Sequence, residues 1–251
     1  MLIMGILNVT PDSFADGGRH NDFESAVTCG LEMIAEGVDI IDIGGESTRP
    51  GADRVSEVEE LERTIPVIAE LAKHGARISI DTMRANTAEA AIKAGASIIN
   101  DVSGGLADPE MLQTAARLKV PYIAMHWRGQ SKEMNSKATY NNVVKEVISE
   151  LQERITAALE AGVRTNNLII DPGLGFAKDA DHNWKIIDSI DSFVELGYPV
   201  LIGASRKRFL GGDSPDEREQ ATIDLTKRLA TTGVWAVRVH SVKPHKEVLA
   251  R

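Results

Sequence analysis

The sequence predicts an eight-stranded parallel β/α (TIM) barrel built as a single domain over residues 1–251. Eight short runs rich in Ile and Val alternate with longer segments of helical periodicity. The runs are continuously apolar, which is typical of strands buried on both faces of a parallel sheet. Eight strand–helix units in 251 residues match the usual size of such a barrel. A doubly wound sheet is the alternative architecture.

The elements follow in order along the chain. The predicted strands are 2–8, 38–44, 76–82, 96–101, 121–126, 167–173, 199–205 and 234–240. The predicted helices are 22–36, 56–74, 84–94, 108–118, 144–159, 182–191, 216–232 and about 244–251. Pro66 lies inside the second helical segment and is expected to kink it or to start a new turn.

Composition narrows the class of protein. The formal net charge is −9, which argues against nucleic-acid and anionic-membrane partners. Cys29 is the single cysteine of the sequence, so a disulfide within the chain is excluded. The sequence shows neither a signal peptide nor an apolar stretch of about 18 residues. We therefore expect a cytoplasmic protein.

Polar residues stand where the predicted strands end. These residues are Asn8, Asp42, Asp81, Asn100, Asp101, Asp171 and His240. In a β/α barrel the carboxyl ends of the strands carry the active site. Neighbouring strand residues point in opposite directions, so only one of Asn100 and Asp101 is expected to face the pocket.

Basic residues have a complementary placement in the sequence. Lys207 follows the seventh strand, Arg238 and His240 end the eighth, and Arg49 follows the second. The seventh and eighth loops form the usual anion site of such barrels. Arg238 interrupts an apolar run, and a buried arginine needs an anionic partner. The pattern predicts acids and amides that accept N–H groups of a heterocycle, beside cations that bind a phosphate-like group.

Several common catalytic motifs are missing from the sequence. It contains no P-loop, no GxGxxG following a strand, no GxSxG elbow and no HExxH. Ser205 has no evident base partner in the sequence, which disfavours a serine hydrolase. Lys207 lies between two arginines, so anion binding is favoured over Schiff-base chemistry.

Eight motifs occur in order, each at a strand end. They are MGILNVTPDSFADGG (4–18), DIGGESTRPGA (42–52), ISIDT (78–82), INDVSGG (99–105), MHWRG (125–129), DPGLGFAK (171–178), GASRKRFLG (203–211) and VRVH (237–240). With these motifs the sequence resembles the dihydropteroate synthase family, the folate-pathway transferases inhibited by sulfonamides. The resemblance covers essentially the whole chain.

The resemblance implies a reaction and a set of residue roles. In the family, para-aminobenzoate displaces diphosphate from 6-hydroxymethyl-7,8-dihydropterin diphosphate, with Mg²⁺ as the cofactor. The residues implied in pterin binding are Asp81, Asn100, Met125, Asp171, Phe176, Gly203 and Lys207. Those implied in diphosphate binding are Asn8, Thr48, Arg49, Arg238 and His240, with Asn8 also holding the metal. Those implied in para-aminobenzoate binding are Thr10, Pro11, Phe14, Ser205 and Lys207.

Two departures and two alternatives accompany the resemblance. Ser241 stands where the family often has Asp, and the last helix is short. Family members dimerise through helices at this end of the barrel, so a homodimer is expected. The alternatives are a pterin-binding paralogue without turnover and a methyltetrahydrofolate-binding methyltransferase domain. The first two loops are expected to close over the site as a lid, and the first loop is expected to be disordered without ligand.

Overall fold

The computed structural model describes residues 1–10, 18–46, 54–130 and 134–250, without the side chains of 18–22, 134 and 135. The motif loops at 11–17 and 47–53 lie outside the described residues. The expected closure of these loops and the expected disorder of the first loop therefore stay predictions. Among the described residues, no helix is long and apolar enough to cross a membrane.

Eight parallel strands of the described chain form one sheet in the order β6-β5-β4-β3-β2-β1-β8-β7. A parallel bridge between Ile170 and Val200 joins β6 to the segment before β7, so the sheet curls into a nearly closed barrel. The strands are β1 (Leu2–Asn8), β2 (Ile40–Gly44), β3 (Ile78–Asp81), β4 (Ile98–Asp101), β5 (Tyr122–Met125), β6 (Leu168–Asp171), β7 (Leu201–Ile202) and β8 (Ala236–Val239). The barrel prediction is confirmed, and the doubly wound alternative is wrong.

Helices follow the strands around the barrel. They are α1 (Gly18–Ala35), α2 (Glu57–Lys73), α3 (Ala85–Ala94), α4 (Met111–Leu118), α5 (Val143–Glu160), α6 (Ala180–Asp188), α7 (Ile190–Val194), α8 (Glu217–Leu229) and α9 (Lys243–Leu249). One expectation needs correction, because the predicted helix 182–191 is divided into α6 and α7 at Ser189. The helix α2 continues through Pro66, and the kink expected there stays a prediction.

Successive side chains of each strand point alternately outward and inward, which gives two separate sets of apolar side chains. Outward residues such as Ile41, Ile80 and Ile170 join the large core shared with residues of the helices, including Leu71 and Leu151. This core holds the helices against the sheet, because burying apolar surface is the main favourable term in folding.

Inward side chains fill the amino-terminal half of the barrel. We call this set the lower ring: Met4, Ile40, Ser79, Ile98, Ile123, Ile169, Leu201 and Ala236. Seven of these residues form a separate apolar cluster of the described chain, and Ser79 occupies the corresponding position on β3. The lower ring closes the barrel from below, so a pocket along its axis is confined to the carboxyl ends of the strands.

Candidate functional site

Two residues beyond the lower ring, each strand places a second inward residue. We call this set the upper ring: Ile6, Asp42, Asp81, Asn100, Met125, Asp171, Gly203 and Arg238. The strand register brings these side chains together because all the strands are parallel and carry the same alternation. The upper ring contains five of the residues predicted to bind a pterin.

Arg238 ties two acids of the upper ring together. Its Nε lies 2.5 Å from Oδ2 of Asp42, and its terminal nitrogen lies 2.7 Å from Oδ2 of Asp81. The amide nitrogen of Asn100 donates to the same Asp42 oxygen at 3.0 Å. The half-buried arginine therefore has carboxylates of its own chain as partners, and Asp42 links three strands of the barrel.

The ionisation of Asp81 is shifted by its surroundings. Burial raises the pKa of its carboxyl from 3.8 to about 7; the guanidinium of Arg238 opposes the rise, while the nearby charge of Asp42 adds to it. Burial likewise raises the pKa of Asp171, although that carboxylate accepts a hydrogen bond from the backbone N–H of Gly173 at 2.7 Å. Hydrogen bonds from N–H donors of a bound ligand would stabilise the ionised form of both acids.

Lys207 approaches the upper ring from the loop after β7. Its ammonium donates to the carbonyl oxygen of Leu174 and lies 4.7 Å from the ring centre of Phe176. Burial lowers the pKa of Lys207 to about 8, and the charge of Asp171 partly offsets that shift. The structure thus gathers Asp171, Phe176 and Lys207 around the end of β6.

An apolar patch and a glycine complete this side of the upper ring. Met125 is buried and packs with Met83 and Val102, with Phe176 against the same cluster. A Cβ built on Gly203 would lie 3.8 Å from a carboxylate oxygen of Asp171, which is an ordinary contact. Glycine is therefore not needed there to avoid a clash within the chain, and it leaves space in the upper ring for a flat ligand.

Ser205 and His240 meet at the rim beyond β7 and β8. The hydroxyl of Ser205 lies 2.9 Å from Nδ1 of His240 and accepts the backbone N–H of His240 at 3.2 Å. The expectation that Ser205 lacks a partner base is wrong, because 35 residues of chain separate two side chains that the barrel brings together. If the hydroxyl donates to Nδ1, a neutral imidazole carries its proton on Nε2.

Asn100 and Asp101 divide as the alternation predicts. The carboxylate of Asp101 accepts hydrogen bonds from the N–H and hydroxyl of Ser103, from Gly105 and from the hydroxyl of Tyr122. Asp101 thus fixes the loop after β4, while Asn100 joins the upper ring.

The remaining predicted residues lie at the first two loops. Asn8 ends β1, pairs with Gly44 in the sheet and is half-buried, and Thr10 follows it. Pro11, Phe14, Thr48 and Arg49 lie outside the described residues, so their roles stay predictions.

Three residues in or beside the site were not predicted from the sequence. Asp42 was noted only as a polar strand end, yet its alternation with Ile40 on β2 would have placed it in the upper ring. Lys178 and His126 were not singled out at all. Their contact joins residues 52 positions apart, and the sequence carries no signal for it.

Comparisons with known proteins agree with this geometry. The model of the pterin binding enzyme family matches residues 4–240 of the chain. A dihydropteroate synthase of Mycobacterium leprae is 48% identical, and the alignment covers 98% of this chain and 90% of the relative. The dihydropteroate synthase of Bacillus subtilis is 47% identical, with 96% and 84% covered. The chain belongs to the dihydropteroate synthase family of pterin-binding enzymes.

Solved structures of the family share the fold. A Xanthomonas albilineans dihydropteroate synthase with 4-aminobenzoic acid superimposes with a TM-score of 0.93 at 42% identity, covering 99% of this chain and 90% of that one. The same organism's enzyme in complex with 7,8-dihydropteroate superimposes with a TM-score of 0.90 at 40% identity, covering 99% of this chain and 91% of that one. The Yersinia pestis enzyme in a sulfonamide complex has a TM-score of 0.93 at 38% identity, covering 99% of this chain and 92% of that one. Membership of this family confirms that the chain is an enzyme of the predicted transferase class.

Proposed function

We propose that the chain condenses 6-hydroxymethyl-7,8-dihydropterin diphosphate with para-aminobenzoate to give 7,8-dihydropteroate and diphosphate. The observation that carries the proposal is the upper ring, where Asp81, Asn100 and Asp171 converge beneath Lys207. Carboxylates and an amide suit the N–H donors of an aminopterin ring, as Lys207 suits one of its acceptors. The relatives whose titles include 4-aminobenzoic acid and 7,8-dihydropteroate support the same chemistry.

The pterin ring would lie between the acids and the apolar patch. Asp81 and Asp171 would accept its N–H groups, with Met125 and Phe176 against its faces and Gly203 leaving room for its edge. Because these groups are buried, their hydrogen bonds are stronger than the same bonds in water. The ring would therefore be held in one orientation, with its methylene directed toward the rim.

The diphosphate would lie at the rim, near His240, Asn8 and the loop carrying Thr48 and Arg49. His240 is oriented by Ser205 and can present an N–H to a phosphate oxygen. Arg238 would add positive charge beneath the diphosphate while it remains bound to Asp42 and Asp81.

The donor set fits Mg²⁺. Among the described residues, no group of three or more His, Cys, Asp or Glu side chains could form a metal cage. Mg²⁺ is commonly held by few protein oxygens together with substrate phosphates and water. The side-chain oxygen of Asn8 would hold the ion. When bound, Mg²⁺ would offset the charge that develops on the departing diphosphate.

The residues of the chain favour a dissociative displacement. The C–O bond to diphosphate breaks as the methylene acquires positive charge, which the dihydropterin ring delocalises and the carboxylates of Asp81 and Asp171 stabilise. The amine of para-aminobenzoate is neutral at pH 7, so it forms the new C–N bond and then releases a proton to water. The site mainly positions the reactants and excludes water.

Para-aminobenzoate would enter from the rim over the bound pterin. Its carboxylate would be received by Ser205, with Lys207 beneath the aromatic ring and Thr10, Pro11 and Phe14 closing from the first loop. A sulfonamide would compete for the same place. We further propose a single-domain, cytoplasmic homodimer whose partners are these small molecules, without nucleic-acid or membrane partners.

A turnover assay tests the proposal. The purified chain is incubated with both substrates and Mg²⁺, and 7,8-dihydropteroate and diphosphate are quantified, with a parallel reaction containing EDTA. We expect product only when both substrates are present, with a large loss in EDTA. Pterin binding without product would instead indicate a non-catalytic paralogue, and binding of methyltetrahydrofolate without product a methyltransferase domain.

A further inference from the structure

Lys178 lies in the segment between β6 and α6 and is 8% exposed. Its ammonium has three acceptors in the described chain. Nζ lies 2.8 Å from Nδ1 of His126, 3.0 Å from the carbonyl oxygen of Gly173 and 3.0 Å from that of Phe176. An ammonium group has three N–H donors, so these contacts match its full capacity.

Two of these acceptors belong to the segment that carries the pterin-site residues. Gly173 donates its N–H to the carboxylate of Asp171 at 2.7 Å. Gly173 has φ +68°, and a Cβ there would clash with the carbonyl oxygen of His126, so the segment is packed directly against the end of β5. Lys178 therefore fastens the backbone that orients Asp171.

Lys207 also contacts residues 173–176, the segment that Lys178 binds. It donates to the carbonyl oxygen of Leu174 and lies above the ring of Phe176. Together the two lysines bind the backbone carbonyls of Gly173, Leu174 and Phe176. Lys207 also faces Asp171, Asp81 and Arg238 of the upper ring, whereas the hydrogen bonds of Lys178 go to His126, Gly173 and Phe176.

A chain of contacts leads from Lys178 back to its own segment. Nε2 of His126 lies 2.9 Å from Glu150, which also binds Arg128 at 3.0 Å. The guanidinium of Arg128 lies 3.8 Å from the ring centre of Tyr140. The hydroxyl of Tyr140 donates to the carbonyl oxygen of Ala177 at 3.0 Å, where the backbone has φ +47°. The segment is therefore held at both Gly173 and Ala177.

The burial of this ammonium is costly. Burial lowers the pKa of Lys178 to about 7, and Asp171 partly offsets the shift. Its three direct acceptors are a histidine nitrogen and two carbonyls, none of which carries a full negative charge. An apolar side chain of similar length would fill the same volume at no such cost. Packing alone thus does not account for a lysine here, whereas fixing two carbonyls does.

We infer that Lys178 is a positioning residue for the pterin subsite, acting through Asp171 and Phe176 rather than touching the ligand. The inference rests on the proposed function, because it assumes that these two residues bind the pterin. It assigns Lys178 an effect on the pterin substrate and little effect on the second substrate, which would lie on the rim side.

The test compares Lys178→Met with Lys185→Met, a change at an exposed lysine of α6. Affinity for 6-hydroxymethyl-7,8-dihydropterin is measured by calorimetry, and KM is measured for each substrate of the complete enzyme. Losing the bonds to both carbonyls is expected to weaken pterin affinity about tenfold or more. KM for para-aminobenzoate at saturating pterin should change by less than about threefold, and Lys185→Met should match the wild type.

A milder variant covers the case in which Lys178→Met does not fold. Tyr140→Phe removes the one bond to Ala177 and is expected to weaken pterin affinity by about two- to fivefold. Unchanged pterin affinity in a folded Lys178→Met protein, or equal losses for both substrates, would overturn the inference. If the wild type itself binds no pterin, the proposed function fails instead.

Discussion

The lower and upper rings of the barrel lie two residues apart on the same strands, yet they differ in chemistry. The lower ring is apolar except for Ser79, whereas the upper ring contains three acids, an amide and an arginine. The two levels are separated by about 7 Å along each strand. The comparison shows that one half of the barrel interior is an apolar core, while the other half holds the charged groups of the proposed site.

The upper ring carries a larger energetic cost than the lower ring, where among the described residues the hydroxyl of Ser79 is the one buried polar atom without a hydrogen-bond partner. Two of the three acids of the upper ring, Asp42 and Asp81, share one guanidinium, and Oδ1 of Asp42 has no hydrogen-bond partner in the described part of the chain. Such a cluster contributes little to stability, because desolvation offsets most of the attraction between buried charges. Substitutions in the two rings should therefore affect different measurements.

The largest effect is expected for Asp81→Asn. Because the carboxylate is proposed to accept N–H groups of the pterin, its loss should reduce kcat/KM for the pterin substrate by about a hundredfold or more. Asp181→Asn, at an exposed position of α6, is the matched control and should leave the kinetics unchanged. Retained kcat/KM in Asp81→Asn would exclude Asp81 from the pterin site.

Substitutions in the lower ring should change the free energy of unfolding rather than substrate binding. Ile123→Ala removes a fully buried side chain and is expected to lower the free energy of unfolding by about 2–5 kcal/mol. KM for both substrates should stay near the wild-type values in the folded protein. Val58→Ala, at an exposed residue of α2, should change stability by less than about 0.5 kcal/mol. Denaturant unfolding measures the stability of both variants. A large change in KM with little loss of stability in Ile123→Ala would contradict the assignment of the lower ring to stability and of the upper ring to binding.

A smaller and selective effect is expected at the rim. His240→Ala should weaken the pterin diphosphate by about ten- to a hundredfold, because a charge-assisted hydrogen bond is lost. The free pterin alcohol should be affected far less, and exposed His74→Ala should affect neither ligand. Arg238→Ala is expected to weaken both ligands, since the arginine also ties Asp42 to Asp81. Equal losses for both ligands in His240→Ala would remove His240 from the diphosphate site.

The mildest perturbation is a change of pH. Pterin affinity should rise as Asp81 ionises near pH 7 and fall as Lys207 loses its proton near pH 8. Lys207→Arg should remove the part of the fall that Lys207 causes, because arginine keeps its charge, while the part caused by deprotonation of Lys178, whose pKa is about 7, should remain. The raised pKa of Asp81 also implies that its contribution to stability, present below pH 3.8, is lost as the pH rises through about 7. Calorimetric titrations from pH 5.5 to 9.5 would show whether affinity follows the two groups.

Alternation along the strands explains how much of the site could be predicted from the sequence. Asp81, Asn100 and Asp171 end apolar runs, so their shared position in the upper ring followed from local pattern alone. The barrel itself followed from the count of such runs. The division between α6 and α7 was missed because both carry the same apolar periodicity through Ser189.

Contacts between distant segments could not be predicted in this way. The partners of Arg238 lie 157 and 196 residues away, and which carboxylates it reaches depends on the closure of the barrel. The contact of Lys178 with His126 depends likewise on how the segment after β6 packs against β5. The sequence supplied the groups, while their pairing follows from tertiary structure.

A crystal structure of the chain with 6-hydroxymethyl-7,8-dihydropterin would test the central claim most directly. The account predicts the ring inside the barrel, with its N–H groups on the carboxylates of Asp81 and Asp171 and with Lys207 and Phe176 beside it. The lower ring should be unchanged. A pterin bound outside the upper ring, or inside it without contact to either carboxylate, would contradict the account.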